Sequence, residues 1–270
     1  MALRRSRRRA PAAWSGPGRP WDGATLDTVL SGAPAREDLA VEVAQHGAPV
    51  RRWSSAEVEA ATADLAGGLR GAGVRAGDAV AWRAANHVTS LLAYRACWRV
   101  GAVAAPIHHR AGEAEAAAIL ERVAPRLVLD PGDLPTGVAV GADDGAATAE
   151  GLAAVLFTSG STGRPKGVLH THRALAHKAR LMASVHGLGP DDAVLMPAPL
   201  AHVSGLLNGV LLPGVVPLKA VLMARWSAPA ALTLIEAEAV SFMVGPPTFF
   251  VELLAADGFT PEAVRSLRLI

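Results

Sequence analysis

Ten residues, Thr158-Ser159-Gly160-Ser161-Thr162-Gly163-Arg164-Pro165-Lys166-Gly167, hold four hydroxyls, three glycines, an arginine and a lysine directly after an apolar run. Hydroxyls and free backbone N–H groups donate hydrogen bonds to phosphate oxygens, and glycine lets the backbone approach closely and visit positive φ. A lysine adds a compact positive charge suited to a polyphosphate. Lys166 is one of three lysines, with Lys178 and Lys219, in a chain that otherwise uses arginine. The loop is not a Walker A motif, which needs G-x-x-x-x-G-K-[ST] leading from a strand into a helix. Here Gly167 follows the lysine, and Val168-Leu169-His170 read as a short strand before a helix that starts near Thr171 or His172. A Gly/Ser-rich surface hairpin is the plainer reading of such a composition.

Other side chains offer other chemistry. His202 stands in Pro199-Leu200-Ala201-His202-Val203-Ser204-Gly205, an apolar stretch in which a lone histidine is often a satisfied core residue. His170, His172 and His177 could be read as a metal cluster, because alternate strand positions face one way. No cysteine or carboxylate stands at ligand spacing beside them, and no metal site is assigned. Cys97 lies inside the apolar helix pattern Leu91–Val100 and reads as core rather than nucleophile. Ser159 or Ser161 with Lys166 as base would make an amidase-like hydrolase. The GGSSGG-like loop of that chemistry is absent.

The elements that must carry these residues alternate along the chain. Ser54 and Glu57 make a capping box for a helix that runs to about Arg70 and ends at Gly71 and Gly73. Ala79–Arg83 reads as a strand, and Asn86 as the cap of a helix to Arg99 with Leu91, Leu92, Ala96 and Val100 in one stripe. Ala102–Ala105 is a buried strand, Gly112–Val123 a helix and Arg126–Leu129 a strand, followed by a Gly/Asp/Pro-rich linker over 130–150. After the loop come a helix over Arg173–Val185 and a strand at Ala193–Met196. A β-α-β unit follows: Lys219–Leu222, Pro229–Glu238 and Val240–Val244. This alternation predicts α/β layers with largely parallel strands. Gly71-Ala72-Gly73 and Gly77 only imitate a dinucleotide fingerprint, because they follow a helix at the wrong spacing.

With 270 residues, half of them hydrophobic, the chain can bury a sizeable core. Its first twenty residues carry six arginines and no acid; without them 20 basic residues face 24 acidic ones, so a uniformly basic nucleic-acid surface is not supported. Residues 1–22 read as a disordered Arg-rich leader, open to a solvated tail, a mis-assigned start or contact with an anionic partner. Arg4-Arg5 has no apolar region after it and does not read as a twin-arginine export signal. A single cysteine suits a reducing cytoplasm. Val203–Ala224 is apolar, but Asn208, Pro213, Gly214, Pro217 and Lys219 interrupt it, so a short helix, a turn and a strand are expected there rather than a membrane span.

The ten-residue run resembles the phosphate-binding motif of the AMP-forming, adenylate-forming enzymes, the acyl-CoA synthetases, luciferases and peptide-synthetase adenylation domains. Further segments resemble the same family in order and spacing: Trp53-Ser54-Ser55-Ala56-Glu57, Gly73-Val74-Arg75-Ala76-Gly77-Asp78-Ala79-Val80 and Gly101-Ala102-Val103-Ala104-Ala105-Pro106. Pro199 to Gly205 is similar to its "PL-F-H-x-x-G" motif and Gly245-Pro246-Pro247-Thr248 to its "V-P-T" motif. The resemblance implies that residues 23–270 are the N-terminal part of the AMP-binding (adenylation) domain, with layered α/β sheets incomplete at the C-terminus and the small C-terminal domain absent. The chain stops at Leu267-Arg268-Leu269-Ile270, which reads as a core strand, before any counterpart of the family's later acidic motifs and catalytic lysine. A fragment with little adenylating activity of its own is therefore expected.

The implied reaction joins a carboxylate to the α-phosphate of ATP, releases pyrophosphate, and passes the acyl group to coenzyme A. Thr158, Ser159, Ser161 and Thr162 would then bind phosphates, Gly160 and Gly163 would let the loop wrap them, and Lys166 would neutralise charge. Mg2+ is expected with the ATP. His202 matches the position near the acyl carboxylate and adenylate, and Thr248 either shapes the same cleft or caps a helix. Ala201 replaces the family's aromatic before the histidine, which alters the wall of the acyl pocket. No acid stands beside His202 to hold an α-amine, which favours a fatty, alicyclic or aryl acid. Transfer to a carrier protein instead of coenzyme A, and a non-catalytic nucleotide-binding remnant, remain the alternatives.

Overall fold

The computed structural model describes residues 24–43, 49–137, 147–148, 150–158 and 165–270. Two five-stranded sheets make up the architecture. The first has the order β5-β3-β4-β6-β7, with β3 (Ala79–Ala84), β4 (Val103–His108), β5 (Leu127–Leu129), β6 (Leu152–Thr158) and β7 (Lys166–Thr171). Its strands are parallel except for the antiparallel hairpin of β6 and β7. The second has the order β10-β8-β9-β1-β2, with β1 (Ala40–Val43), β2 (Pro49–Trp53), β8 (Ala193–Met196), β9 (Lys219–Met223) and β10 (Phe242–Met243). Here β8, β9, β1 and β10 run parallel, and β2 turns back on β1.

The helices are α1 (Leu26–Ser31), α2 (Ser55–Gly71), α3 (Val88–Arg99), α4 (Glu113–Val123), α5 (His172–His186), α6 (Val203–Gly205), α7 (Leu212–Val215), α8 (Ala228–Ala237) and α9 (Pro247–Leu254). A π-helical turn, Leu206–Leu211, joins α6 to α7. The capping box at the start of α2 forms as the sequence predicts, with Ser54 and Glu57 bonding each other's backbone N–H. Thr171 caps α5 through the Ala174 N–H. Asn86 is not a cap: α3 begins after His87, which makes no side-chain cap bond, and the Asn86 amide reaches elsewhere.

Helix α3 is buried along most of its length: Leu91, Tyr94, Ala96 and Cys97 are solvent-free, Trp98 is nearly so, and even Ser90 and Arg95 are buried. Tyr94 meets Trp82 edge-on with ring centroids 4.9 Å apart and lies 5.4 Å from Trp98. The Trp98 indole N–H donates to the Ala153 carbonyl at 2.9 Å, which ties α3 to the strand that leads into the Gly/Ser/Thr loop. Burial also pushes the Cys97 thiol well above the ordinary thiol range, in keeping with its core position. His172 is buried as well, and its Nδ1 accepts the Leu26 N–H at the start of α1 at 3.2 Å.

The sequence reading passed over α1 and the β1–β2 hairpin. Leu269 makes a parallel bridge with Phe242 at the edge of the second sheet, and Ile270 beyond it is exposed. Among the described residues no helix is long and apolar enough to cross a membrane. The Arg-rich leader lies outside the described residues.

Candidate functional site

In open α/β sheets ligands gather beyond the carboxyl ends of parallel strands. Strand β6 ends at Thr158, β8 leads through Pro199 to His202, and β10 leads through Gly245 to Thr248. Among the described residues, Thr158, His202 and Thr248 therefore stand at or beyond the carboxyl ends of parallel strands, and Lys166 opens β7 opposite Thr158. The two sheets meet at that edge, because the Asn86 amide, just past β3, donates to the carbonyls of Met196 and Met223 that end β8 and β9, at 3.2 and 3.1 Å.

The candidate phosphate loop is the connection of the β6–β7 hairpin. Thr158 pairs directly with Lys166, and Phe157 with Gly167. A Cβ on Gly167 would lie 3.3 Å from the Phe157 ring, so a glycine suits this position in the ladder. Thr158 and Lys166 are both exposed, and among the described residues Lys166 makes no ion pair. Lys219 differs: it is buried, with its ammonium 3.0 Å from Glu238, and Glu238 also takes Arg52 at 2.6 Å. Its charge is consumed by the fold. Ser159, Gly160, Ser161, Thr162 and Gly163 lie outside the described residues.

His202 is exposed and is the N-cap of α6, its Nδ1 accepting the Ser204 N–H at 3.3 Å. A core role for this histidine is thereby set aside. Its turn is closed by Gly205, where a Cβ would sit 2.1 Å from the Pro199 carbonyl oxygen and 2.8 Å from the Leu200 Cα. Only a glycine admits that approach. The π-helical turn follows at once; such turns recur at functional sites. Thr248 is exposed in the first turn of α9, whose cap position is Pro246, so Thr248 does not cap the helix.

The sequence reading missed His108, the last residue of β4, and His109 just after it, whose rings stack with centroids 4.7 Å apart. Burial, then Arg110, holds His108 below the ordinary histidine value against the pull of Glu115, and His202 adds to the repulsion. Burial and the neighbouring His108 lower His109 too, and its Nδ1 has no partner among the described residues. The signal in the sequence was only a His-His-Arg run after a strand, which has no fixed meaning without the fold. Of the histidines weighed as a metal cluster, His172 is occupied by α1. Among the described residues no three His, Cys, Asp or Glu side chains come together to hold a metal ion. A surface depression of about 700 Å³ lined by Arg225, Trp226, Glu252 and Asp257 includes none of the candidate residues.

Known proteins are similar to this chain in sequence and fold. The chain is 27% identical over 296 residues to the medium-chain fatty-acid–CoA ligase of Escherichia coli K12, an alignment covering 92% of this chain and 50% of that one. It is 31% identical over 259 residues to a feruloyl-CoA synthase of an Amycolatopsis species, covering 83% of this chain and 50% of the relative. Among solved structures, ATP-bound MatB from Rhodopseudomonas palustris superposes with a TM-score of 0.75 at 25% identity, covering 92% of this chain and 54% of that one. The chain thus spans about half the length of the curated relatives it matches. The profile of the AMP-binding enzymes matches residues 33–270, from before the first sheet strand to the last residue, and the chain belongs to that family.

Proposed function

We propose that the chain is the ATP-gathering and acid-binding part of an acid–CoA ligase. The observation that supports this reading is that Thr158 and Lys166, near the two ends of the Thr158–Gly167 run, pair across the β6–β7 hairpin at the carboxyl end of β6, the edge to which His202 belongs. The reaction is attack by a substrate carboxylate oxygen on the α-phosphorus of ATP. The bond to the bridging oxygen breaks, pyrophosphate leaves, and an acyl-adenylate remains. A thiol, that of coenzyme A, then takes the acyl group and AMP departs.

Catalysis of the first half is positioning plus charge stabilisation. Thr158 offers a hydroxyl at one root of the loop and Lys166, which makes no ion pair among the described residues, an ammonium at the other. Ser159, Ser161 and Thr162 supply further hydroxyls to the phosphates, with Gly160 and Gly163 admitting close approach. His202 offers its second ring nitrogen, Nε2, to the acid or the adenylate, since Nδ1 holds the Ser204 N–H. Thr248 lines the same crevice. Mg2+ would travel with the nucleotide phosphates, its preferred hard oxygen ligands, and no step depends on a metal held by the described residues. The acid is a fatty, alicyclic or aryl one: no carboxylate stands in Ala201-His202-Val203-Ser204 to hold an α-amine, and Leu206, Leu207 and Val210 give the following turn an apolar character.

The test is calorimetric titration of the chain with ATP and Mg2+, alongside Lys166→Ala. Loss of a charged hydrogen bond of about 1.5–3 kcal/mol corresponds to roughly 10- to 150-fold weaker binding. Equal affinity in the two chains would refute the assignment of Lys166. ATP binding without acid-dependent pyrophosphate release would favour the nucleotide-binding remnant. Adenylate formation with transfer to a phosphopantetheinyl carrier but not to coenzyme A would favour the carrier-dependent ligase.

A further inference from the structure

Asn86, in the turn between β3 and α3, is 2% exposed. Its Nδ2 donates to the carbonyls of Met196 at 3.2 Å, Ala198 at 2.9 Å and Met223 at 3.1 Å. Its Oδ1 accepts the Leu200 N–H at 2.9 Å. Two amide hydrogens serve three carbonyls, so the donor capacity of this side chain is fully used. The Leu200 carbonyl in turn accepts the Tyr94 hydroxyl at 2.8 Å. Tyr94 is itself immobilised between Trp82 and Trp98. One backbone unit, two residues before His202, is therefore gripped at its N–H by Asn86 and at its C=O by Tyr94. The Gly205 backbone packs directly against the Pro199–Leu200 backbone, and the His202 N–H closes the turn on the Pro199 carbonyl at 2.9 Å.

We propose that Asn86 and Tyr94 are positioning residues for His202. They fix the Pro199–His202 turn from the β3–α3 turn and from α3 before any ligand arrives, so that an exposed imidazole is presented in one orientation to the crevice. An exposed side chain has little packing of its own, and its geometry is only as sharp as the backbone beneath it. A buried amide with four partners supplies that rigidity, since each unmade bond would strand a buried polar group. What His202 does there rests on the adenylation reading above; that its turn is held by these two side chains does not.

The experiment compares the chain with Asn86→Ala and with Tyr94→Phe, the latter keeping the ring that packs between the tryptophans. Amide hydrogen exchange and the His202 ring Cε1–H signal are followed by NMR, and ATP affinity by calorimetry. Exchange at Leu200 and His202 is expected to rise at least about tenfold in a folded variant while Val80 and Ala104 inside the first sheet keep their protection, and the single His202 ring signal is expected to broaden or split. ATP affinity should stay within about twofold, because Thr158 and Lys166 stand on the β6–β7 hairpin outside the grip. If Asn86→Ala does not fold, Tyr94→Phe decides. Unchanged exchange and an unchanged His202 signal in the folded variants would overturn the proposal, and so would loss of protection throughout the sheet in Tyr94→Phe. If the unaltered chain binds no ATP, the adenylation reading fails while the exchange and ring signals still decide the grip.

Discussion

Lowering the pH should unlock this fold through one histidine, His172. Its ring is fully buried and its Nδ1 accepts the Leu26 N–H, which demands a neutral imidazole with the proton on Nε2. That Nε2 has no partner among the described residues, so a second proton would be added to a ring with no acceptor at either nitrogen. Burial holds the folded-state value down at about 4, against 6.5 for the free side chain. Unfolded chains bind the proton first, so stability is fully present above the unfolded value and drains as the pH falls from 6.5 through 4. At about 1.4 kcal/mol per unit of separation, the loss is roughly 2 kcal/mol by pH 5 and roughly 3 kcal/mol by pH 4. Urea unfolding of the chain and of His172→Leu near pH 7 and pH 5 reads this directly, because other histidines drain both chains alike and cancel in the difference. The stability gap between the chains should shrink by about 2 kcal/mol over that interval. Parallel curves, or a His172 ring signal that titrates near the free-histidine value, would refute the reasoning.

Other perturbations read other parts of the frame. Gly205→Ala places a methyl against the Pro199 backbone and should lower stability by about 3 kcal/mol, visible as a lower melting temperature; an unshifted transition would show that the turn can open. For Glu42, burial is the largest influence and works to raise its value, but the His87 ring 3.6 Å away and hydrogen bonds from the Trp53 indole and the Val88 N–H outweigh it and hold the carboxyl down at about 2. Its contribution is present above 4.5 and lost as the pH falls toward 2, so Glu42→Gln should flatten the acid limb of stability below the His172 window by roughly 2 kcal/mol. Cys97 is solvent-free with a thiol pushed up by burial, so a disulfide reagent should label it only after unfolding; labelling of the native chain at the rate of a free thiol would contradict its placement.

How far the fold could be read in advance depended on where each segment finds its partners. The helices α2, α4 and α5 announce themselves locally, through the Ser54–Glu57 box, the acidic first turn of Glu113 and Glu115, and the Thr171 cap. Strands β3, β4, β8 and β9 are short apolar runs bounded by breakers, as fully buried parallel strands must be. The β1–β2 hairpin is different. It carries Glu42, Arg51 and Arg52 through its pairing, and such a run reads as surface coil. Arg51 finds Glu57 and the Trp53 ring nearby, but Arg52 is satisfied far along the chain by Glu238, and Glu42 by the Val88 N–H at the start of α3 as well as by the Trp53 indole. No local window contains the Glu238 and Val88 partners, so a local pattern shows charges without the contacts that bury them.

The site divides in the same way. Lys166 and Thr158 were legible because phosphate chemistry needs many small donors close together in sequence, and a hairpin connection delivers them as a unit. Asn86 was misread for the opposite reason. An asparagine just before an apolar helix is a good cap by every local rule, and a cap bond is worth about 1 kcal/mol. In the folded chain the same amide makes four bonds to residues more than a hundred positions away, at the junction of two sheets. Four buried partners outweigh one exposed cap, and α3 is left to start at His87 without a side-chain cap. Local grammar prices only the bond it can see; where a polar residue next to an element end is buried instead, its competing partners are the first place to look for what holds a site in shape.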